Sequence, residues 1–185
     1  MRLYIKALEN LTVILNISEI QLIDQVMDQN RLAQKQLFEQ FSPKMLGVCR
    51  QYVKDHHDAE DVMLNGFMKV FQNIQTFNKE GSFEGWIRKI MIRESLTYLR
   101  NAKELQLSDD FSNISNEELT VSQDFSNDYQ KLIDALPKGC KYIFILYVIE
   151  GYKHQEIADM LQISVGTSKS QLAYAKNILK QQIER

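Results

Sequence analysis

The feature that most constrains this chain is a central stretch whose charge has one sign. From Glu104 through Gln130 there are seven acidic residues (Glu104, Asp109, Asp110, Glu117, Glu118, Asp124 and Asp128) and no Lys or Arg. The same segment is rich in Ser and Asn, among them Ser108, Ser112, Asn113, Ser115 and Asn116. It repels itself and has little apolar surface to bury, so it reads as a flexible tether rather than as part of a core. The balance reverses on either side. Residues 34–103 carry eleven basic and eight acidic residues, and residues 131–185 carry eight and five. The reading is an N-terminal helical extension over 1–33, a first domain over 34–103, an acidic linker over 104–128 and a second domain over 129–185.

Both domains read as helical. Across 185 residues there are seven Gly and two Pro, too few for the turns of an all-β chain. Gln34 to Val53 is amphipathic through Leu37, Phe41, Met45, Leu46 and Val48, with an interruption or kink expected near Pro43. Asp58-Ala59-Glu60-Asp61 opens a second helix, its carboxylates complementing the helix dipole, with Met63, Phe67, Val70, Phe71 and Ile74 on the apolar side. Ser82 caps a third, which buries Phe83, Trp86, Ile87, Ile90 and Met91 and aligns Lys89, Arg93 and Arg100 in one basic row. In the second domain the expected helices are Tyr129–Leu136, Lys141–Glu150, His154–Leu161 and Val165–Gln182. Ile157, Ala158, Leu161, Ile163 and Leu172 have the spacing of a helix-turn-helix, and the turn is Gln162-Ile163-Ser164.

Several function classes fall away. There is no Gly-rich phosphate loop, no nucleophile elbow and no His/Cys cluster with metal spacing, so no enzyme, cofactor or metal site is expected. His56, His57 and His154 read as solvated or capping side chains, and Asp58/Glu60/Asp61 as a charged first turn. Cys49 and Cys140 lie far apart without a ligand pattern, which fits a reducing compartment. The apolar run Leu11–Leu15 is too short for a signal peptide, and no stretch approaches the ~18–20 apolar residues of a membrane span. A cytoplasmic protein without membrane insertion is expected. Residues 1–17 read either as an extra packing helix or as an over-extended start.

Nucleic acid suits the exposed residues better. The last helix offers Thr167, Lys169, Ser170, Gln171, Tyr174 and Asn177 as groups for base edges and phosphates, with Leu172, Ala175, Leu179 and Ile183 on its core side. In the first domain, Lys89, Arg93 and Arg100 lie near Phe77, Phe83, Trp86 and Tyr98, a combination of cations and rings that suits unpaired strands. Phe83 and Trp86 also suit an ordinary helical core.

Asp58-Ala59-Glu60-Asp61-Val62, then Phe67, then Phe83-Glu84-Gly85-Trp86-Ile87-Arg88-Lys89-Ile90 resembles region 2 of the extracytoplasmic function sigma factors. Leu136-Pro137, Glu150-Gly151-Tyr152, Glu156-Ile157-Ala158 and Gly166-Thr167-Ser168-Lys169-Ser170-Gln171-Leu172 resembles region 4 of the same family. The resemblance covers about 34–103 and 129–182, in the family's order. It implies an all-α fold and a transcription initiation factor without an active site. Core RNA polymerase would be bound through Asp58, Asp61, Asn65 and Met68. Promoter DNA would be melted at the −10 element through Phe83, Trp86, Lys89, Arg93, Thr97 and Arg100. The −35 element would be read through Thr167, Lys169, Ser170, Gln171 and Tyr174. An anti-sigma factor is admitted as a further partner. The chain departs from the family's common residues at Leu64-Asn65, Arg93, Thr97, Gln162, Gln171 and Tyr174, departures that bear on promoter sequence rather than on class. At Gln162 a left-handed backbone would cost about 1 kcal/mol. The competing readings are a dimeric one-component helix-turn-helix regulator, with 34–103 as its sensor, and a helical adaptor without a DNA role.

Overall fold

The computed structural model describes residues 19–102 and 128–183. The expectations for residues 1–17 and for the acidic tether up to residue 127 lie outside these. Among the described residues every regular element is helical, as the composition requires. The chain divides into two compact units, Met1–Ser95 and Leu96–Arg185, and the division falls within one helix.

In the first unit, residues 19–27 form α1, which buries Leu22, Ile23 and Val26. Helix α2 (Arg31–Arg50) is capped by Asn30, whose side chain accepts the N–H groups of Leu32 and Ala33. It buries Ala33, Leu37, Phe41, Met45, Val48 and Cys49 and runs through Pro43 without the expected interruption. The apolar residues on both sides of Pro43 stay on one buried face, and this packing outweighs the single hydrogen bond the proline removes.

Helix α3 (His56–Asn73) starts two residues before the expected Asp58. Asp55 is the reason: its Oδ1 accepts the N–H of His57 at 2.9 Å and of Asp58 at 3.1 Å. His56 and His57 therefore belong to the first turn, with their Nδ1 atoms 3.5 and 3.7 Å from the two carboxylate oxygens of Glu60. A 3₁₀ turn (Ile74–Thr76) follows. Helix α4 (Phe83–Asn101) begins after Ser82, whose Oγ accepts the Gly85 N–H as expected. α2 packs on α3. Gly66 marks a close approach, because a Cβ there would overlap Sδ of the fully buried Met91. Lys79 pairs with Asp24, and Gln75 donates to the Met27 carbonyl. The N-terminal helix is thereby tied to the turn that precedes α4.

The second unit contains α5 (Asp128–Asp134), α6 (Lys138–Phe144), a π-helical turn (Ile145–Ile149), α7 (His154–Leu161) and α8 (Val165–Ile183). α6 starts three residues before the expected Lys141. Pro137 stays outside the helix, and its carbonyl accepts the Lys141 N–H to begin the ladder. Leu136, Cys140 and Ala175 form a small core, with Phe144, Tyr174, Ile178 and Leu179 packed against it. α7 opens where Glu156 accepts the Lys153 N–H at 2.8 Å. It closes at Gln162, in the left-handed region at φ 57° and ψ 47°, and α8 follows after the expected turn.

Candidate functional site

Three helical faces hold the residues singled out in the sequence. On α3 the buried face is Ala59, Val62, Met63, Gly66, Phe67 and Val70, so the opposite stripe faces solvent. That stripe contains Asp61 and Asn65, and also two large apolar side chains, Leu64 at 47% exposure and Met68 at 59%. Asp58 is partly exposed at its N-terminal end. Exposed apolar groups alternating with a carboxylate and an amide make a surface that a protein partner can desolvate. In the sequence alone Leu64 stands out as a departure from the family rather than as part of this surface. The available signal was its place three residues after Asp61 and four before Met68.

On α4 the cations and the rings separate. Lys89 and Arg93 are exposed. Phe83 is only 3% exposed, and its ring is enclosed by Phe77 at 5.0 Å and by Phe41 and Trp86 at 5.7 Å each. Phe83 is thus a core ring, not a stacking platform, because no face is left for a base. Trp86 is partly exposed. Nearby cations are taken up structurally: Lys44 meets Glu84 at 2.7 Å and Lys69 meets Glu94 at 2.6 Å. At the far end of α4, Thr97 and Arg100 are half-buried, and the Arg100 guanidinium donates to Thr97 Oγ1 at 3.1 Å.

On α8 the structure corrects the expected reading face. Thr167 is 6% exposed and Gln171 is 5%, so neither projects from the helix. Ser164 explains the first: as the cap of α8, its Oγ accepts the Thr167 N–H at 2.9 Å and lies 2.7 Å from Thr167 Oγ1, which holds the threonine side chain against the turn. The buried arc of α8 is Thr167, Ser168, Gln171, Leu172 and Ala175. Tyr174 is half-buried against the Leu136–Cys140–Ala175 core. Ile183, expected in that core, is 64% exposed, because the last turn runs past it. Lys169, Ser170, Ala173, Lys176, Asn177 and Lys180 face solvent. Ala173, whose methyl carries no polar signal in the sequence, stands between Ser170 and Asn177 on the exposed side.

His154, the first residue of α7, is half-buried. Its Nδ1 lies 2.9 Å from Ser168 Oγ, and its ring stacks on Tyr147 at 4.5 Å. Burial, followed by the charges of Lys169 and Lys176, holds this imidazole below the ordinary histidine range. Cys49 and Cys140 are free thiols, and burial pushes each up to about 11, far from a reactive thiolate. Among the described residues no cluster of three or more metal-ligating side chains occurs, and no helix is long and apolar enough to cross a membrane.

Comparison with known proteins places both units. Residues 37–104 match the family described as Sigma-70 region 2, and residues 126–179 match Sigma-70, region 4. The ECF RNA polymerase sigma-E factor of Haemophilus influenzae is 24% identical over 178 residues, covering 88% of this chain and 94% of that protein. The RNA polymerase sigma factor SigV of Bacillus subtilis is 26% identical, covering 72% and 81%. The ECF RNA polymerase sigma factor SigE of Mycolicibacterium smegmatis is 26% identical over 78% of this chain, which spans 59% of that relative's length. Among solved structures, the sigma factor RpoE of Bartonella quintana, crystallised with the anti-sigma factor NepR, shares the fold. Its TM-score is 0.50 at 21% identity, covering 81% of this chain and 96% of that one. With two sigma-70 regions in order on one helical chain, the protein belongs to the extracytoplasmic function group of the sigma-70 RNA polymerase sigma factors.

Proposed function

We propose that this sigma factor binds core RNA polymerase through the exposed stripe of α3 and directs it to promoters. The first unit would open the −10 element and the helix-turn-helix would read the −35 element. The observation that carries the reading is the α3 stripe: Asp61, Leu64, Asn65 and Met68 face outward on the helix whose other side is the core of the region 2 unit. Two large apolar side chains on one stripe are costly to leave in water and gain by burial against a partner. Lys89 and Arg93 on α4 supply phosphate contacts, with Trp86 rather than Phe83 as the ring within reach of an unstacked base. On α8 the reading group is Lys169, Ser170, Ala173 and Asn177, where an alanine methyl suits a thymine methyl and the polar groups suit base edges. The role needs no active site. The solved relative's anti-sigma complex makes a protein inhibitor of that kind a further candidate partner.

Pull-down with bacterial core RNA polymerase tests the reading. Wild type should retain core enzyme, and Asp61→Lys and Asn65→Arg should lose most of it with helical content unchanged. Unchanged retention by both variants overturns the assignment of α3. Fluorescence anisotropy separates the dimeric-regulator alternative. The net charge is −2 and α8 offers only Lys169, Lys176 and Lys180, so a monomer should bind promoter duplex weakly near physiological salt unless core enzyme is present. Tight sequence-specific binding by the protein alone would favour the regulator.

A further inference from the structure

His154, expected as a solvated or capping side chain, connects three elements of the second unit. As the first residue of α7 its backbone is held by the helix start. One side of its ring lies on Tyr147, which belongs to the π-helical turn. Its Nδ1 meets the hydroxyl of Ser168, fully buried in the first turn of α8. Lys176, on the same helix, places its Nζ over the Tyr147 ring at 5.8 Å from the centroid. Ser168 and Lys176 are eight residues apart, a little over two turns or about 12 Å along the axis. The Tyr147–His154 pair thus touches α8 at two levels. Two such contacts fix both the height of the helix and its rotation, which one contact cannot do.

We propose that His154 is a positioning residue for promoter reading: through Ser168, and backed by Tyr147, it fixes the stance of the two next residues, Lys169 and Ser170, against the −35 element. The inference rests on the region 4 reading above. Ser168 directly precedes Lys169, and Ser170 follows in the same helical turn, so any shift of its backbone is passed to both. Base-edge recognition needs side chains held to about half an ångström. The Ser164–Thr167 cap secures the helix start but does not set its rotation against α7. The His154–Ser168 bond does, because it crosses between the two helices.

The test uses the full chain as holoenzyme with core polymerase, and sheared bacterial genomic DNA as the probe. Retained fragments are sequenced for wild type, His154→Ala, His154→Asn and Ser168→Ala. Asn places a polar atom close to the position of Nδ1 and keeps the bond to Ser168. In the two alanine variants, discrimination at the upstream element should fall roughly fivefold, the worth of one neutral hydrogen bond. Preferences at the downstream element should stay as in wild type, which also reports that the holoenzyme has assembled. His154→Asn should restore upstream discrimination to within about twofold. Wild-type upstream preferences in both alanine variants, or failure of His154→Asn to restore them, overturn the inference. A wild-type profile with a downstream motif and no upstream motif overturns the region 4 reading itself and the inference with it.

Discussion

Substituting Gly66 by Ala sets two effects of known size against each other. In the interior of α3 the change should gain about 1 kcal/mol of helix propensity. At this position the new Cβ would overlap Sδ of Met91 and stand 3.0 Å from its Cε. A methionine can normally swing such atoms aside. Met91 is 0% exposed, however, so its thioether has only filled space to enter. Overpacking of this kind costs roughly 1–3 kcal/mol. Packing therefore wins, and Gly66→Ala should destabilise the first unit by about 1 kcal/mol, a melting shift of about 4–8 °C for a unit of this size. Thermal and urea unfolding followed by circular dichroism measure it. The cause is isolated by repeating the change with Met91→Ala in place, which by itself costs roughly 2–5 kcal/mol. There the Cβ enters vacated space, and Gly66→Ala should instead stabilise by about 1 kcal/mol. Equal effects of Gly66→Ala in the two backgrounds, within about 0.5 kcal/mol, would refute the close-approach argument.

Gln162→Gly should stabilise the helix-turn-helix by about 0.5 kcal/mol, because relief of the left-handed backbone outweighs the extra freedom of glycine in the unfolded chain; a thermal melt reads this. His154 has a folded pKa below its unfolded value, so its contribution to stability is complete above about pH 6.5 and is lost as pH falls through the folded value. Urea midpoints should accordingly drop more steeply on acidification in wild type than in His154→Asn; parallel profiles would exclude His154 as the source. Replacing both Lys89 and Arg93 by Ala should reduce permanganate reactivity of the −10 bubble more than it reduces duplex binding, and equal reactivity would remove them from strand opening.

Only the family resemblance pointed to a left-handed backbone at Gln162, since no residue pattern there forces positive φ. The sequence alone determined the helical class, the start of α4 behind Ser82 and the limits of α7. These depend on neighbours along the chain: apolar period, or a hydroxyl within reach of an N–H. It also placed Asp61, Asn65 and Met68 on one outward stripe of α3, since the strongly apolar residues of that helix leave only one phase for the core. Tertiary structure decided the phase of α8. Its first turns carry Thr, Ser and Gln, which can be buried or exposed at similar cost, so the pattern could not say which way they point. Packing of α8 against α6 and α7 answered it by burying Thr167, Ser168 and Gln171. The same holds for Phe83, which three other rings enclose, for Gly66 beneath Met91, and for the bond between His154 and Ser168. Each includes a contact between residues distant in the chain, such as Phe41 with Phe83, and only the packing of the helices brings those atoms together.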